Sequence, residues 1–250
     1  MATTFFPTRK DVDRYKHLRI LGTELTQAVT DTVPRQAWND IGEAIGILYR
    51  EQLIENEHVR NVLADCCIYD WVRNGKNVIQ RFSETHPEQP GTDEHFVMAA
   101  YLRAEYRIVA PKSASPGAGI YCRDVRTQEE LFVMDLSFSR SGNFSGMALA
   151  ARLVPLGEYW ITTGAGLPVC WSDELEAGAR QLDQQGLWDP IRFVRMFLAT
   201  GMQDMVRHDD TGMKPRKRSR FAPTVDPIDL CPCRSGLMYK YCCGRVKAAP

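Results

Sequence analysis

The sequence has no long hydrophobic run and no excess of charge of either sign. None of its 250 residues lies in an apolar stretch of eighteen, although a helix needs about 20 such residues to cross a bilayer. The first thirty residues, charged from Arg9 to Lys16, lack the apolar core of a signal peptide. Basic and acidic side chains both number 31, so no net field draws the whole chain to nucleic acid or to an anionic membrane. We therefore expect a cytoplasmic protein that does not insert into membranes.

The common catalytic motifs are also missing. The chain contains no G-x-x-x-x-G-K-[ST] phosphate loop, no HExxH, no EF-hand loop and no GxGxxG. The segment 142–146 is not the G-x-S-x-G of hydrolases, because its serine comes one place late. An enzyme would need a site assembled from distant positions, between the helical and β regions. The sequence therefore favours a protein without catalytic activity.

The first part of the chain has a helical period, which predicts a helical region over 1–110. Apolar residues recur three or four apart, Pro34 is typical of a first helical residue, and Asn74-Gly75 is a turn signal. Apolar stripes or helices are expected over 38–48, 59–69, 76–82 and 94–106.

Beyond Pro111 the apolar residues alternate instead, and Gly-containing turns separate the alternating runs. The spacing leaves no room for crossover helices, so we predict a small antiparallel β meander or barrel over 111–172. A second helical region follows over 173–210, with Asp189 as a cap and Pro190 in the first turn. Strands are expected over 120–123, 131–138, 147–154 and 159–163.

The end of the chain is basic. Residues 206–250 hold ten Lys or Arg and four Asp or Glu, so this part carries +6 and the remainder carries −6. Because 211–228 is also rich in proline and poor in apolar residues, we predict a flexible basic linker there. Its basic cluster consists of Lys214, Arg216, Lys217, Arg218 and Arg220.

The segment 229–250 carries the strongest motif in the sequence. Cys231 and Cys233 form C-x-C, and after eight residues Cys242 and Cys243 are adjacent. Four thiols are the number that closes a tetrahedral structural zinc site, although thiolates also hold iron. Such a short segment cannot fold on apolar burial alone, so the metal would supply its folding free energy. The sequence predicts a metal-binding knuckle on the linker.

This segment resembles the SEC-C motif, the zinc-binding element at the C-terminus of the translocase ATPase SecA. The shared features are Cys-Pro-Cys, Ser-Gly, a Tyr-Lys pair, then Cys-Cys and a closing glycine; Arg234 and Met238 stand where Gly and Lys are usual. The resemblance implies one structural Zn²⁺ held by Cys231, Cys233, Cys242 and Cys243. It also implies that the knuckle contacts a protein partner such as a chaperone, the ribosome or a translocation component.

The central strands are similar to a region that accompanies this motif in bacterial proteins of unassigned function. The similarity lies in Arg123-Asp124, in 129–132 and in 149–155. Together these features predict an α+β fold: an N-terminal helical region, a small β unit, a C-terminal helix and a zinc knuckle on a flexible linker.

Two binding functions are consistent with this organisation. In the first, the protein is an adaptor that contacts a protein partner through the knuckle. In the second, the linker and knuckle bind RNA or DNA, with phosphate contacts from basic side chains. The candidate contact residues are Lys214, Arg216, Lys217, Arg218, Arg220, Arg234, Lys240 and Arg245.

The remaining cysteines and histidines have structural interpretations. We expect Cys66, Cys122 and Cys170 to pack in the core. Because adjacent thiols on one helix cannot both face inward, Cys67 is a separate case, but His58 lies about 13 Å from it along a helix, too far for a Cys-His pair. His95 is expected at a helix start.

Overall fold

Helices lie at both ends of the described chain, with a β-barrel between them in sequence. The computed structural model describes residues 5–49, 52–53, 57–140 and 144–199. The predicted linker and knuckle lie outside these ranges. Helices in the described ranges are α1 (Arg9–Asp31), α2 (Arg35–Ala44), α3 (Glu57–Tyr69), α4 (Val78–Thr85), α5 (Asp93–Tyr101), α6 (Asp173–Gln184) and α7 (Pro190–Ala199). Strands are β1 (Leu48–Tyr49), β2 (Gln52–Leu53), β3 (Glu105–Ser115), β4 (Gly119–Asp124), β5 (Glu130–Met134), β6 (Met147–Leu156), β7 (Tyr159–Thr162) and β8 (Leu167–Cys170).

Side-chain caps fix where several helices begin. At α1, Thr8 Oγ1 accepts from the Asp11 amide at 3.4 Å, and the Asp11 carboxylate accepts from the Thr8 amide at 2.8 Å. Asn77 and Gln80 form the same reciprocal pair at α4, so the helix expected from 76 begins at Val78. Such a box satisfies backbone donors that have no partner inside the helix.

Three further local signals are confirmed, the first of them with a shift of one residue. Pro34 is the cap of α2 and not its first residue. Asn74 and Gly75 both have positive φ, 54° and 75°, as a tight two-residue turn requires. Asp189 caps α7, since its Oδ1 accepts from the Ile191 amide at 3.0 Å.

The expected helix over 94–106 is wrong at its C-terminal end. Helix α5 stops at Tyr101, and β3 begins at Glu105. Residues 105–109 pair antiparallel with β6, and this non-local pairing overrides the local helical period. The boundary placed at residue 110 therefore falls inside a strand. The short strands β1, β2 and β8 were not predicted at all.

Five strands form a closed barrel, in the order β3-β4-β5-β7-β6 with β6 returning to β3. The expectation of a purely antiparallel unit is wrong, because β5 and β7 pair in parallel at Val133 and Trp160. The chain passes from β5 to β6 first and then makes a hairpin into β7, which therefore runs in the same direction as β5. The barrel is mixed, and the α+β class is confirmed.

Strand β6 is shared by three neighbours. One edge pairs with β3 over Leu149 to Leu153, and the other pairs with β8 over 147–150 and with β7 over 153–156. Strand β8 is thus a sixth strand added to the barrel, and α6 follows it directly.

The alternating strand residues divide between two apolar clusters. The smaller contains only barrel residues among its buried members, such as Val109, Ile120 and Leu153. The larger is continuous from Tyr15 in α1 to Leu198 in α7 and includes barrel residues as well. The helices and the barrel therefore share one core. Within the described ranges, no helix is both long enough and apolar enough to cross a membrane.

Candidate functional site

The predicted knuckle and basic cluster cannot be placed in this structure. Cys231, Cys233, Cys242 and Cys243 and all eight predicted basic contacts fall in 200–250, outside the described residues. In the part of the chain that is described, no three His, Cys, Asp or Glu side chains come together in a way that would hold a metal.

A buried ion network joins α3 to the barrel. Arg152 on β6 is 4% exposed. Its Nε donates to Asp65 at 3.0 Å, and its Nη2 donates to Asp70 at 2.5 Å. Asp65 also accepts from Thr163 Oγ1 at 2.7 Å, and the guanidinium lies 4.5 Å from the ring centroid of Tyr69. The three charged groups are therefore held by hydrogen bonds to one another, as buried charge requires.

Two carboxylates share this single guanidinium away from water. Burial raises the pKa of Asp70 to about 6, although the charge of Arg152 acts in the opposite direction. Burial also acts to lower the pKa of Arg152, but Asp65 and Asp70 outweigh it and hold the pKa above its usual value. Arg152 is therefore charged at neutral pH, and Asp70 has a pKa of about 6.

This titration predicts a pH dependence of stability. Because the folded-state pKa of Asp70 is about 6 and its ordinary value is 3.8, the native state binds more protons than the unfolded state between these values. The Asp70 contribution is therefore complete below pH 4 and is lost as pH rises through 6. At 1.36 kcal/mol per pKa unit, the loss is about 3 kcal/mol.

The test is urea unfolding of the wild type and of Asp70→Asn from pH 4 to pH 7. The asparagine side chain cannot ionise but keeps an oxygen for Arg152. We expect the wild type to lose stability relative to the variant as pH rises. If the free energy of unfolding changes with pH in the same way for the two proteins, Asp70 has an ordinary pKa and the prediction is wrong.

The three buried cysteines, Cys66, Cys67 and Cys122, lack the features of a nucleophilic thiol. Cys66 and Cys67 are both buried, so the expectation that only one could face inward is wrong. Cys67 packs on α2, where its Sγ donates to the Ala37 carbonyl at 3.5 Å, and burial raises its pKa to about 12. Burial raises the pKa of Cys66 and Cys122 in the same way. A thiol needs a depressed pKa to react as a thiolate at neutral pH.

The other single residues give mixed results. Cys122 is buried as expected, but Cys170 is exposed, because it ends β8 on the side opposite to the buried Val169. His95 lies in the first turn of α5, and its backbone amide donates to Thr92, so the helix-start interpretation is confirmed. Helix α3 is continuous from Glu57 to Tyr69, which keeps His58 and Cys67 at opposite ends of one helix.

Arginines at one end of the barrel bind carboxylates of the same chain. Arg107, only 7% exposed, contacts Asp124 at 3.1 Å and Glu129 at 2.7 Å. Arg123 binds Glu176 of α6 through two hydrogen bonds, at 3.0 and 2.7 Å. The Arg123–Glu176 pair fixes α6 to the barrel, and both guanidiniums are already paired with carboxylates and so are not free for a phosphate.

A cleft of about 290 Å³ lies between α1, α3 and the loop that joins β7 to β8. Arg19 stands on the α1 side, Asp65 on the α3 side, and Tyr101 of α5 also lines it. Sequence reasoning missed this site. The available signal was a polar stripe on α1, where Thr23, Thr26 and Thr30 recur at helical spacing.

Comparison with known proteins gives two family matches. The model of a family of unknown function, DUF7986, matches residues 9–173, which include α1 to α5 and the whole barrel. The model of the SEC-C motif matches residues 229–245, so the predicted resemblance is confirmed and indicates a metal-binding module. No curated protein and no solved structure gives a match. Because the first match covers well over half of the chain, the protein belongs to the family of unknown function DUF7986, with a SEC-C motif following the region that defines the family.

Proposed function

We propose that the protein is a cytoplasmic adaptor without catalytic activity, whose SEC-C module holds one structural Zn²⁺ and contacts a protein partner. The observation that carries the proposal is the set of four cysteines, Cys231, Cys233, Cys242 and Cys243, all inside the segment that matches the SEC-C motif.

The donor chemistry fits zinc. Four thiolates complete a tetrahedral site and leave no coordination position for water or substrate, as in structural zinc sites. A metal bound in this way stabilises a short segment and does not carry out a reaction. The module would therefore present a fixed surface to a partner.

The charge distribution indicates what kind of partner fits. Residues 206–250 carry +6, and Arg234, Lys240 and Arg245 lie within or beside the cysteine motif. In the described body, by contrast, Arg107, Arg123 and Arg152 are bound to internal carboxylates. We therefore propose an acidic protein surface as the partner, reached through the basic module.

The proposal is tested by native mass spectrometry with metal analysis of the full chain and of the Cys231→Ser, Cys243→Ser double variant. We expect one zinc per wild-type chain and none in the variant, with loss of any co-purified protein. Cys170→Ser is the matched control, because it removes an exposed thiol of the body, and it should keep the metal. A metal-free wild type, or a partner that still binds the double variant, would contradict the proposal.

Nucleic-acid binding is the second candidate, favoured by five basic residues within 214–220. Phosphate contacts release counterions, so an RNA complex should weaken steeply as salt rises. Fluorescence anisotropy with a labelled single-stranded RNA tests this, using a variant with glutamine at all five positions. Affinity that is insensitive to salt, or equal in the variant, would exclude this function for the linker.

A further inference from the structure

Among the described residues, Arg19 in the cleft between α1, α3 and the β7–β8 loop has no carboxylate partner, because Asp65, which also lines the cleft, is bound to Arg152 and Thr163. Arg19 Nη1 donates to the Thr162 backbone oxygen, and within the described part of the chain Arg19 makes no ion pair. Its Nη2 lies against the loop, 3.3 Å from where a Cβ on Gly164 would be. Since this arginine is half-buried and lines the cleft, an anionic group is the natural complement for its remaining donors.

The wall of the cleft next to Arg19 offers hydrogen-bond acceptors. The hydroxyls of Thr23, Thr26 and Thr30 donate to the carbonyls of Arg19, Gly22 and Thr26, at 2.8, 2.8 and 2.7 Å. A threonine hydroxyl has one hydrogen, so these oxygens have only lone pairs to offer a ligand. They complement hydroxyl or amine groups, which bring their own hydrogens.

The floor of the cleft is polar as well. Tyr101 is only 2% exposed, and its hydroxyl occupies the space that a side chain at position 22 would fill, 2.3 Å from a Cβ built on Gly22. Asn61 of α3 adds an amide, with both donors and an acceptor, on the opposite wall.

We propose that this cleft binds a small organic anion that carries several hydroxyl groups, of the class of sugar phosphates and sugar acids. The anionic group contacts Arg19, and the hydroxyls donate to the threonine oxygens of α1. The volume of about 290 Å³ suits a ligand of that size, at the lower end of small-molecule sites. This inference concerns the body of the protein and does not depend on the zinc module.

The test is isothermal titration calorimetry of the full chain with four probes: glucose 6-phosphate, gluconate, glucose and inorganic phosphate. We expect at least one of the two hydroxylated anions to bind at least about tenfold more tightly than glucose or phosphate, a difference of about 1.4 kcal/mol. Failure of both hydroxylated anions to bind at millimolar concentration, or phosphate binding as tightly as glucose 6-phosphate, would overturn the proposal.

Two variants separate binding from folding. Arg19→Gln removes the charge and keeps a donor for the Thr162 oxygen, so the anions should bind at least about tenfold more weakly. Ala64→Leu leaves Arg19 intact and fills the cleft from α3, so it should abolish binding of every probe. Lys16→Gln is the control, with the same charge change on an exposed position of α1. If Arg19→Gln and Ala64→Leu are folded and bind the probes as the wild type does, the proposal is contradicted. The Cys231→Ser, Cys243→Ser variant should bind the probes as tightly as the wild type does, because the cleft does not involve the zinc module.

Discussion

Replacing Arg152 by methionine is expected to lower the free energy of unfolding by about 3 to 5 kcal/mol at pH 7. Arg152 is 4% exposed, and its guanidinium is bound to both Asp65 and Asp70. Methionine has a similar volume but no charge, so two carboxylates would be left buried without a cation. The desolvation cost of those carboxylates makes this change far larger than the loss of a surface ion pair.

Urea unfolding measures this effect, with Arg195→Met on the exposed side of α7 as the matched control. The control should change stability by less than about 0.5 kcal/mol. Adding Asp65→Asn and Asp70→Asn to the Arg152 variant should restore part of the lost free energy of unfolding, because the buried carboxylates without a cation are then removed. If the triple variant is no more stable than Arg152→Met alone, the loss does not come from unpaired carboxylates.

The second large effect is expected from Gly119→Ala at the start of β4. A Cβ at this position would lie 2.2 Å from the Val133 carbonyl oxygen and 2.8 Å from the Met134 Cα. Both atoms belong to the backbone of β5, so they cannot move unless β4 and β5 separate. We expect a loss of about 3 kcal/mol, at the upper end of the usual cost of overpacking.

Gly178→Ala is the control for this substitution. Gly178 lies in α6, and an added Cβ there meets no atom within 4 Å. Alanine should therefore stabilise the helix by about 0.5 to 1 kcal/mol. Thermal unfolding followed by circular dichroism compares the two variants directly. If Gly119→Ala and Gly178→Ala have equal melting temperatures, β4 and β5 separate to accept the added Cβ without loss of stability, and the prediction is wrong.

Short-range signals in the sequence predicted the elements that depend on neighbours in the chain. The turn at Asn74-Gly75 and the cap at Asp189 involve residues within a few positions of one another, and both are found in the structure. The SEC-C resemblance was equally local, because its four cysteines lie within 13 residues.

Strand β3 shows why other parts could not be predicted. Pro111 and the Ser/Gly-rich segment after it read as a boundary, yet both lie in or beside this strand. The β3–β6 pairing ends at Val109, and the β3–β4 register shifts between Pro111 and Ser113. A proline is tolerated at such an irregularity because no ladder hydrogen bond is needed from its nitrogen. Nothing in the local sequence reveals that tolerance.

The Arg152 ion network and the Arg19 cleft could not be predicted from the sequence either, because their residues lie far apart along the chain. Arg152 is 87 positions from Asp65, and Arg19 is 143 positions from Thr162. Each of these residues reads alone as an ordinary charged or polar side chain. Only the barrel, which brings β6 and β7 against α1 and α3, places them together.

The order of strands along the chain also has a consequence for biosynthesis. The pairings that close the barrel, β3 with β6 and β5 with β7, both need residues after Gly146. While the ribosome is still making the first 146 residues, β3 and β5 each have an edge with no partner, and unpaired edges of this kind invite association between nascent chains. Helices α1 to α5 precede the barrel strands and can form locally during that interval. Between the synthesis of β3 and that of β6, these edges have no partner. We therefore expect the nascent chain to be most prone to aggregation in this middle part of translation.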